Sequence, residues 1–154
     1  MTKVLLSLHV LAAILAIGPI TVAASLFPRF AKEAAAEGDR PGNAAGIAAF
    51  LHRTCRGYAV VGGAVPAFGF ATGAALGVLT DVWLITSIVL TAVAAALLVG
   101  AILPGQRRLL TGPGTGGTAG PAAARLAMLT GTFNVLWAVV VVLMIVRPGS
   151  TTGA

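Results

Sequence analysis

Apolar residues run along this chain in four long stretches, Val4–Leu26, Tyr58–Thr80, Val82–Leu103 and Leu126–Val146. Each is 21 to 23 residues long, and none contains Asp, Glu, Lys or Arg. A bilayer core of about 30 Å needs about 20 helical residues, so each stretch predicts one membrane span. Transmembrane β-strands would instead alternate over segments of about 10 residues, whereas these stretches are apolar on every side. Helices follow because each backbone N–H and C=O in lipid must be paired within its own segment.

The intervening residues shape the spans into two hairpins. Ala31, Lys32, Glu33, Ala34, Ala35 and Ala36 favour helix, so the first helix is expected to run beyond the membrane to a turn over Gly38–Asn43. From Ala44 the pattern Ile47, Phe50, Leu51 with His52, Arg53 and Arg56 predicts an amphipathic approach to span two. Thr80 or Asp81 is the expected N-cap of span three, and so tight a turn predicts that spans two and three are antiparallel neighbours. Span three is expected to extend through Gln106 to Leu110. Thr111–Pro121 holds seven Gly or Pro in eleven residues and predicts a flexible linker. The fold expected is an all-α four-helix transmembrane bundle forming one domain, residues 1–147, with a disordered tail at 148–154. The first stretch is too long for a secretory signal peptide, and Leu26–Phe30 continues the helix edge, so it reads as an uncleaved span.

Composition sharpens the picture. Of 154 residues 58% are hydrophobic and 9% are charged, against about a quarter charged in soluble domains. Eight of the ten Lys and Arg fall in the two longer connections: Arg29, Lys32, Arg40, Arg53, Arg56, Arg107, Arg108 and Arg125. The bias of basic residues toward the cytoplasm therefore predicts both termini outside. The net charge of +6 is scattered beside span ends, a pattern suited to anionic headgroups rather than nucleic acid. The single cysteine, Cys55, excludes an internal disulfide and multi-cysteine metal sites.

Within the spans His9 is the one histidine, with no Asp, Glu, Lys or Arg beside it in any of them. It shares a helical face with Ala12, Ala13, Ala16, Ala23 and Ala24, opposite Leu11, Ile14, Leu15 and Val22, and so points at packed helices. Two readings stand: a histidine hydrogen-bonded to a neighbouring helix or to water, or a ligand for haem iron or copper. Met144, at a similar depth, is the other soft ligand for such a metal. His52 belongs to the opposite end, which argues against a bis-histidine haem. Gly69, Gly73 and Gly77, at i, i+4 and i+8, predict a close-packing stripe. A flat cofactor on that face is the alternative. Pro19 and Pro66 predict kinks that open a small cavity between helices one and two. Asn134, and Ser87 with Thr91, are expected to hydrogen-bond between helices, and Trp83 to anchor at the interface.

The spans hold no acid of the kind proton-coupled or cation transporters place in the membrane. The chain has no nucleophile–base–orienter set, HExxH, paired-cysteine spacing or phosphate loop. These gaps favour a non-enzymatic structural or partner-binding subunit, oligomeric or bound to another membrane protein. A haem- or copper-associated redox protein using His9 is the alternative, and a small dimeric transporter the third reading.

The run Leu8-His9-Val10-Leu11-Ala12-Ala13-Ile14-Leu15-Ala16-Ile17-Gly18-Pro19, with Arg53-x-x-Arg56-Gly57-Tyr58 before a Gly-rich second span, resembles a family of bacterial four-helix integral membrane proteins of unknown function. That resemblance implies the bacterial plasma membrane. His9, Gly18 and Leu26-Phe27-Pro28-Arg29-Phe30 are more distantly similar to the first helix of copper-resistance D-type membrane proteins and of the membrane protoporphyrinogen oxidase. The latter similarity implies haem b, with His9 and Arg29 as binding residues. Ala16-Ile17 stands where those groups carry an aromatic residue before the glycine.

Overall fold

The computed structural model describes residues 2–37, 42–112 and 119–149. Helix α1 (Thr2–Glu37) is followed by α2 (Ala44–Gly62), α3 (Ala64–Leu76), α4 (Val82–Leu97), a π turn at Leu98–Ile102, α5 (Leu103–Thr111) and α6 (Ala119–Val146). Helices α2 and α3 together make the second span, and α4, the π turn and α5 make the third. All four spans are long and apolar enough to cross a membrane. The result is an all-α four-helix bundle with the architecture of a multi-pass integral membrane protein. The start of α1, the end of α6 and the short turn before α4 share one end of the bundle, here the terminal end. The end of α1, the start of α2, the end of α5 and the start of α6 share the other, the loop end.

At 1.5 Å per residue, the 36 residues of α1 extend about 54 Å, well beyond a bilayer core. The helix continues through Pro19 and Pro28. Near Pro19, Ala16 and Ile20 fill the crossing with the second span, lying within ordinary contact of the place a Gly62 side chain would occupy. The second span, read from sequence as one helix, is interrupted at Gly63. Pro66 has no N–H to bond the Gly62 carbonyl, and the Gly63 N–H turns back to the Val60 carbonyl at 3.2 Å.

Helix α1 packs along both α2 and α3, and α6 packs along both α1 and α4. The expected pairing of spans two and three holds at their two ends: near the connecting turn Leu84 fills the space left by Gly73, and toward the loop end α5 packs on α2. The core gathers toward the loop end, from Ile20, Ala23, Ala24, Phe27 and Ala31 of α1, Ala48, Leu51 and Cys55 of α2, Leu98 and Ile102 of the π turn, and Leu126 and Phe133 of α6. Ala16, Ala23 and Ala24 are buried while Leu11, Ile14, Leu15 and Val22 are exposed. The small-residue face of α1 therefore turns inward and its bulky aliphatic face outward. Only 17–28% of each apolar window is buried within the protein, which leaves broad apolar faces turned outward from the bundle.

Four further sequence expectations change in whole or in part. Gly77 is no packing glycine: nothing approaches the site of its absent Cβ, and its φ is +70°. It ends α3 with its N–H bonded to the Ala74 carbonyl and that of Val78 to the Gly73 carbonyl, the paired bonds of a Schellman cap. Asp81 occupies the N-cap position of α4 without a side-chain cap bond, because its carboxylate accepts the Trp83 indole N–H at 3.0 Å. Trp83 in consequence is only 6% exposed, a packed residue rather than a free anchor. The expected flexible linker is shorter at both ends, since Thr111 closes α5 and Ala119–Pro121 begins α6. Residues 113–118, most of the turn at 38–43, and the tail from 150 lie outside the described residues.

Gly77→Val forces a branched side chain into the left-handed region and is expected to destabilise the bundle by about 1–3 kcal/mol. Gly131→Ala, at an α6 position with open space around it, is expected to leave stability equal or higher. Equilibrium unfolding in detergent micelles checks both.

Candidate functional site

His9 points from α1 into the glycine face of α3. Its Nδ1 lies 2.9 Å from the Val65 carbonyl oxygen. A carbonyl can only accept, so Nδ1 carries the proton and donates. Neutral imidazole then keeps its lone pair on Nε2. The carbonyl has two lone pairs and can serve both its own helix and His9. Gly69 makes the approach possible: a Cβ there would sit 2.8 Å from His9 Cε1 and 3.1 Å from Nδ1. The histidine and one glycine of the stripe are thus two halves of one contact. Gly73, one turn on, receives the side chains of Leu84 and Leu79 instead.

The other residues singled out from sequence lie elsewhere. Arg29 stands twenty residues from His9 along α1, about 30 Å at helical rise, so the two do not face one ligand. Arg29 is exposed, its Nε 2.8 Å from Glu33 Oε1 and its guanidinium 5.7 Å from the Phe30 ring centre. The bond and charge of Glu33 raise its already high pKa. Met144 is near the terminal end of α6, where its carbonyl accepts from Arg147 Nε at 3.4 Å. Asn134 donates from Nδ2 to Ser25 Oγ of α1 at 3.2 Å, joining spans four and one. Its Oδ1, and Thr130 Oγ one turn earlier, are buried without a protein partner. Ser87 bonds its own helix at the Trp83 carbonyl, 2.8 Å away, rather than a neighbour. Among the described residues no group of three or more His, Cys, Asp or Glu is placed to hold a metal ion.

A second polar cluster, not anticipated from sequence, lies toward the loop end. Gln106 is fully buried. Its Oε1 accepts from His52 Nδ1 at 3.0 Å, and its Nε2 donates to Cys55 Sγ at 3.6 Å. The Cys55 thiol in turn reaches the Ile20 carbonyl at 3.9 Å. This directed chain links spans two, three and one. Gln106 reaches the interior because the π turn at Leu98–Ile102 precedes it. Its i→i+5 pairing inserts one extra residue, about 100° of helical phase, which keeps Leu98, Ile102 and Gln106 on the buried face. In the sequence Gln106 stands in Pro-Gly-Gln-Arg-Arg, which reads as a polar helix end. Pro104 was the available signal of irregular backbone.

A third cluster closes the terminal end. Asp81 holds the Trp83 indole, and Arg147 lies with its guanidinium carbon 5.6 Å from the Trp83 ring centre. The Arg147 backbone has φ +45°, so the chain turns sharply after α6 and brings the side chain back over the bundle.

His9 and Gly69 are expected to behave as a coupled pair. Gly69→Ala alone should cost about 1–3 kcal/mol by overpacking, whereas in a His9→Ala background the same change should be close to neutral. A double-mutant cycle on unfolding free energy, with coupling of about 1 kcal/mol or more, checks the contact. No protein family, curated protein or solved structure matches this chain.

Proposed function

We propose that the protein is a non-enzymatic structural or partner-binding subunit of a membrane assembly, working as a homo-oligomer or beside another membrane protein. The observation that carries this reading is the use made of its intramembrane histidine. His9 donates to the Val65 carbonyl against Gly69, which is the role of a helix-joining residue. Asn134 with Ser25 and Gln106 with His52 and Cys55 serve the same end at two other levels. A bundle tied at several depths, with broad aliphatic faces outward, suits a scaffold. The resemblance to bacterial four-helix membrane proteins of unknown function supports the bacterial plasma membrane as its place. The basic residues of the loop end support cytoplasmic connections, anionic-headgroup contacts there, and external termini.

One observation favours a second reading, a haem- or copper-associated redox protein. Nδ1–H donation to a backbone carbonyl is the arrangement that orients a metal-binding histidine and leaves Nε2 as ligand. The distant resemblance to haem and copper proteins points the same way. The tight fit of the ring against Gly69 favours the scaffold.

Visible spectroscopy and metal analysis of the purified protein separate the two. The scaffold reading expects a colourless, metal-free preparation. A stoichiometric Soret band or copper content that disappears in His9→Ala would establish the redox reading instead. Sidedness is tested by replacing Cys55 and placing a reporter cysteine at Thr111. A membrane-impermeant maleimide should fail to label it in intact cells and should label it after permeabilisation. Labelling from outside would reverse the orientation.

A further inference from the structure

We propose that the terminal end of the bundle carries a binding site for the phosphate of an anionic amphiphile, in a cleft lined by Lys3, Leu6, Leu76 and Arg147. The cleft has a volume of about 290 Å³ and lies where the ends of α1, α3 and α6 converge. Two cations that stand 144 positions apart in the sequence meet there. Among the described residues neither has a carboxylate within ion-pairing distance, the one ion pair being Arg29 with Glu33. Asp81, the acid at this end, is engaged by the Trp83 indole N–H. Two positive charges therefore line the cleft with neither of them ion-paired to a carboxylate among the described residues.

Arg147 is also positioned rather than free. Its left-handed backbone, its Nε bond to the Met144 carbonyl and its stacking on Trp83 hold the guanidinium over the end of the bundle. Arginine so fixed loses little further freedom on binding an oxyanion, and its planar fork matches phosphate oxygens. Leu6 and Leu76 are partly exposed and give the site an apolar wall. Two cations and two leucines lining one cleft fit a molecule with a phosphate and an adjoining hydrocarbon chain, at the depth of a membrane interface. The inference needs the chain to span a bilayer, but it is independent of the scaffold and redox readings and of sidedness.

The test uses the full chain in nanodiscs of phosphatidylcholine alone or with phosphatidylglycerol, and in phosphatidylcholine with added inorganic phosphate. Thermal unfolding and retained lipid by native mass spectrometry are read for each. The expected result is stabilisation and retained phosphatidylglycerol that are lost in Lys3→Gln/Arg147→Gln. At about fivefold per cation near the surface, the double change should weaken retention about twenty-five-fold. The charge-matched control Arg107→Gln/Arg108→Gln should retain lipid as the unaltered chain does. Leu6→Trp, which keeps both charges and fills the cleft, should also lose it. Stabilisation by inorganic phosphate in the neutral disc, lost in the same double variant, would assign the site to a soluble phosphate. Equal behaviour in all discs, or a lipid effect that survives Lys3→Gln/Arg147→Gln, would overturn the proposal.

Discussion

The constraint on which this structure depends is that hydrocarbon offers no partner to a polar group. A buried amide or hydroxyl without a hydrogen bond costs roughly 2–7 kcal/mol in such surroundings, so polar side chains within the spans are driven to partners in the protein, with Thr130 Oγ1 and Asn134 Oδ1 the buried exceptions among the described residues. The helices satisfy their own backbones. What remains is a short set of side chains, and their bonds set which helix lies beside which. His9 draws α1 to α3 through the Val65 carbonyl, Gln106 draws the third span to the second, and Asn134 draws α6 to α1. Apolar packing cannot supply that specificity alone, because lipid tails compete for the same aliphatic surface.

Small residues make the polar contacts reachable. An imidazole can bond a helix carbonyl only if it comes down onto the backbone, and Gly69 leaves the space for it. The same absence of a side chain at Gly73 admits Leu84 near the turn, while Gly77 uses its freedom of φ to end the helix. Three glycines at one spacing thus do three different things. The core near the loop end is filled by larger residues, Phe27, Phe133, Ile20 and Ile102. At the terminal end the bundle is held by the Asp81–Trp83–Arg147 stack. The proposed phosphate cleft lies at that terminal end.

Local backbone irregularities carry as much of the site geometry as the regular helices do. Without the π turn at Leu98–Ile102, the side chain of Gln106 would be rotated by about 100° away from His52 and Cys55. Without the interruption at Gly63, the α3 segment bearing Val65 and Gly69 would leave α2 on a different course. Both irregularities lie within three residues of a proline, Pro66 and Pro104, whose missing N–H breaks the regular ladder. The reason they are exploited rather than merely tolerated is that each is followed within one turn by a residue that joins two spans.

Much of the fold was legible in the chain itself. The number of spans, their approximate ends, the long extension of α1 and its inward alanine face follow from where charges and bulky residues fall, since hydrocarbon thickness and helical period act on each segment independently. The inward direction of His9 was legible for the same reason. Its partner was not, because Val65 offers a backbone carbonyl, which every residue possesses and no sequence marks. Gln106 and Arg147 were hidden likewise: a one-residue change of helical phase buries the first, and a left-handed turn after α6 folds the second over Trp83. Residue-by-residue chemistry determined that these segments form helices long and apolar enough to cross a membrane. Only the packing of one span on another decided which polar atoms meet, because those meetings depend on phase, kinks and close approach between segments far apart in the chain.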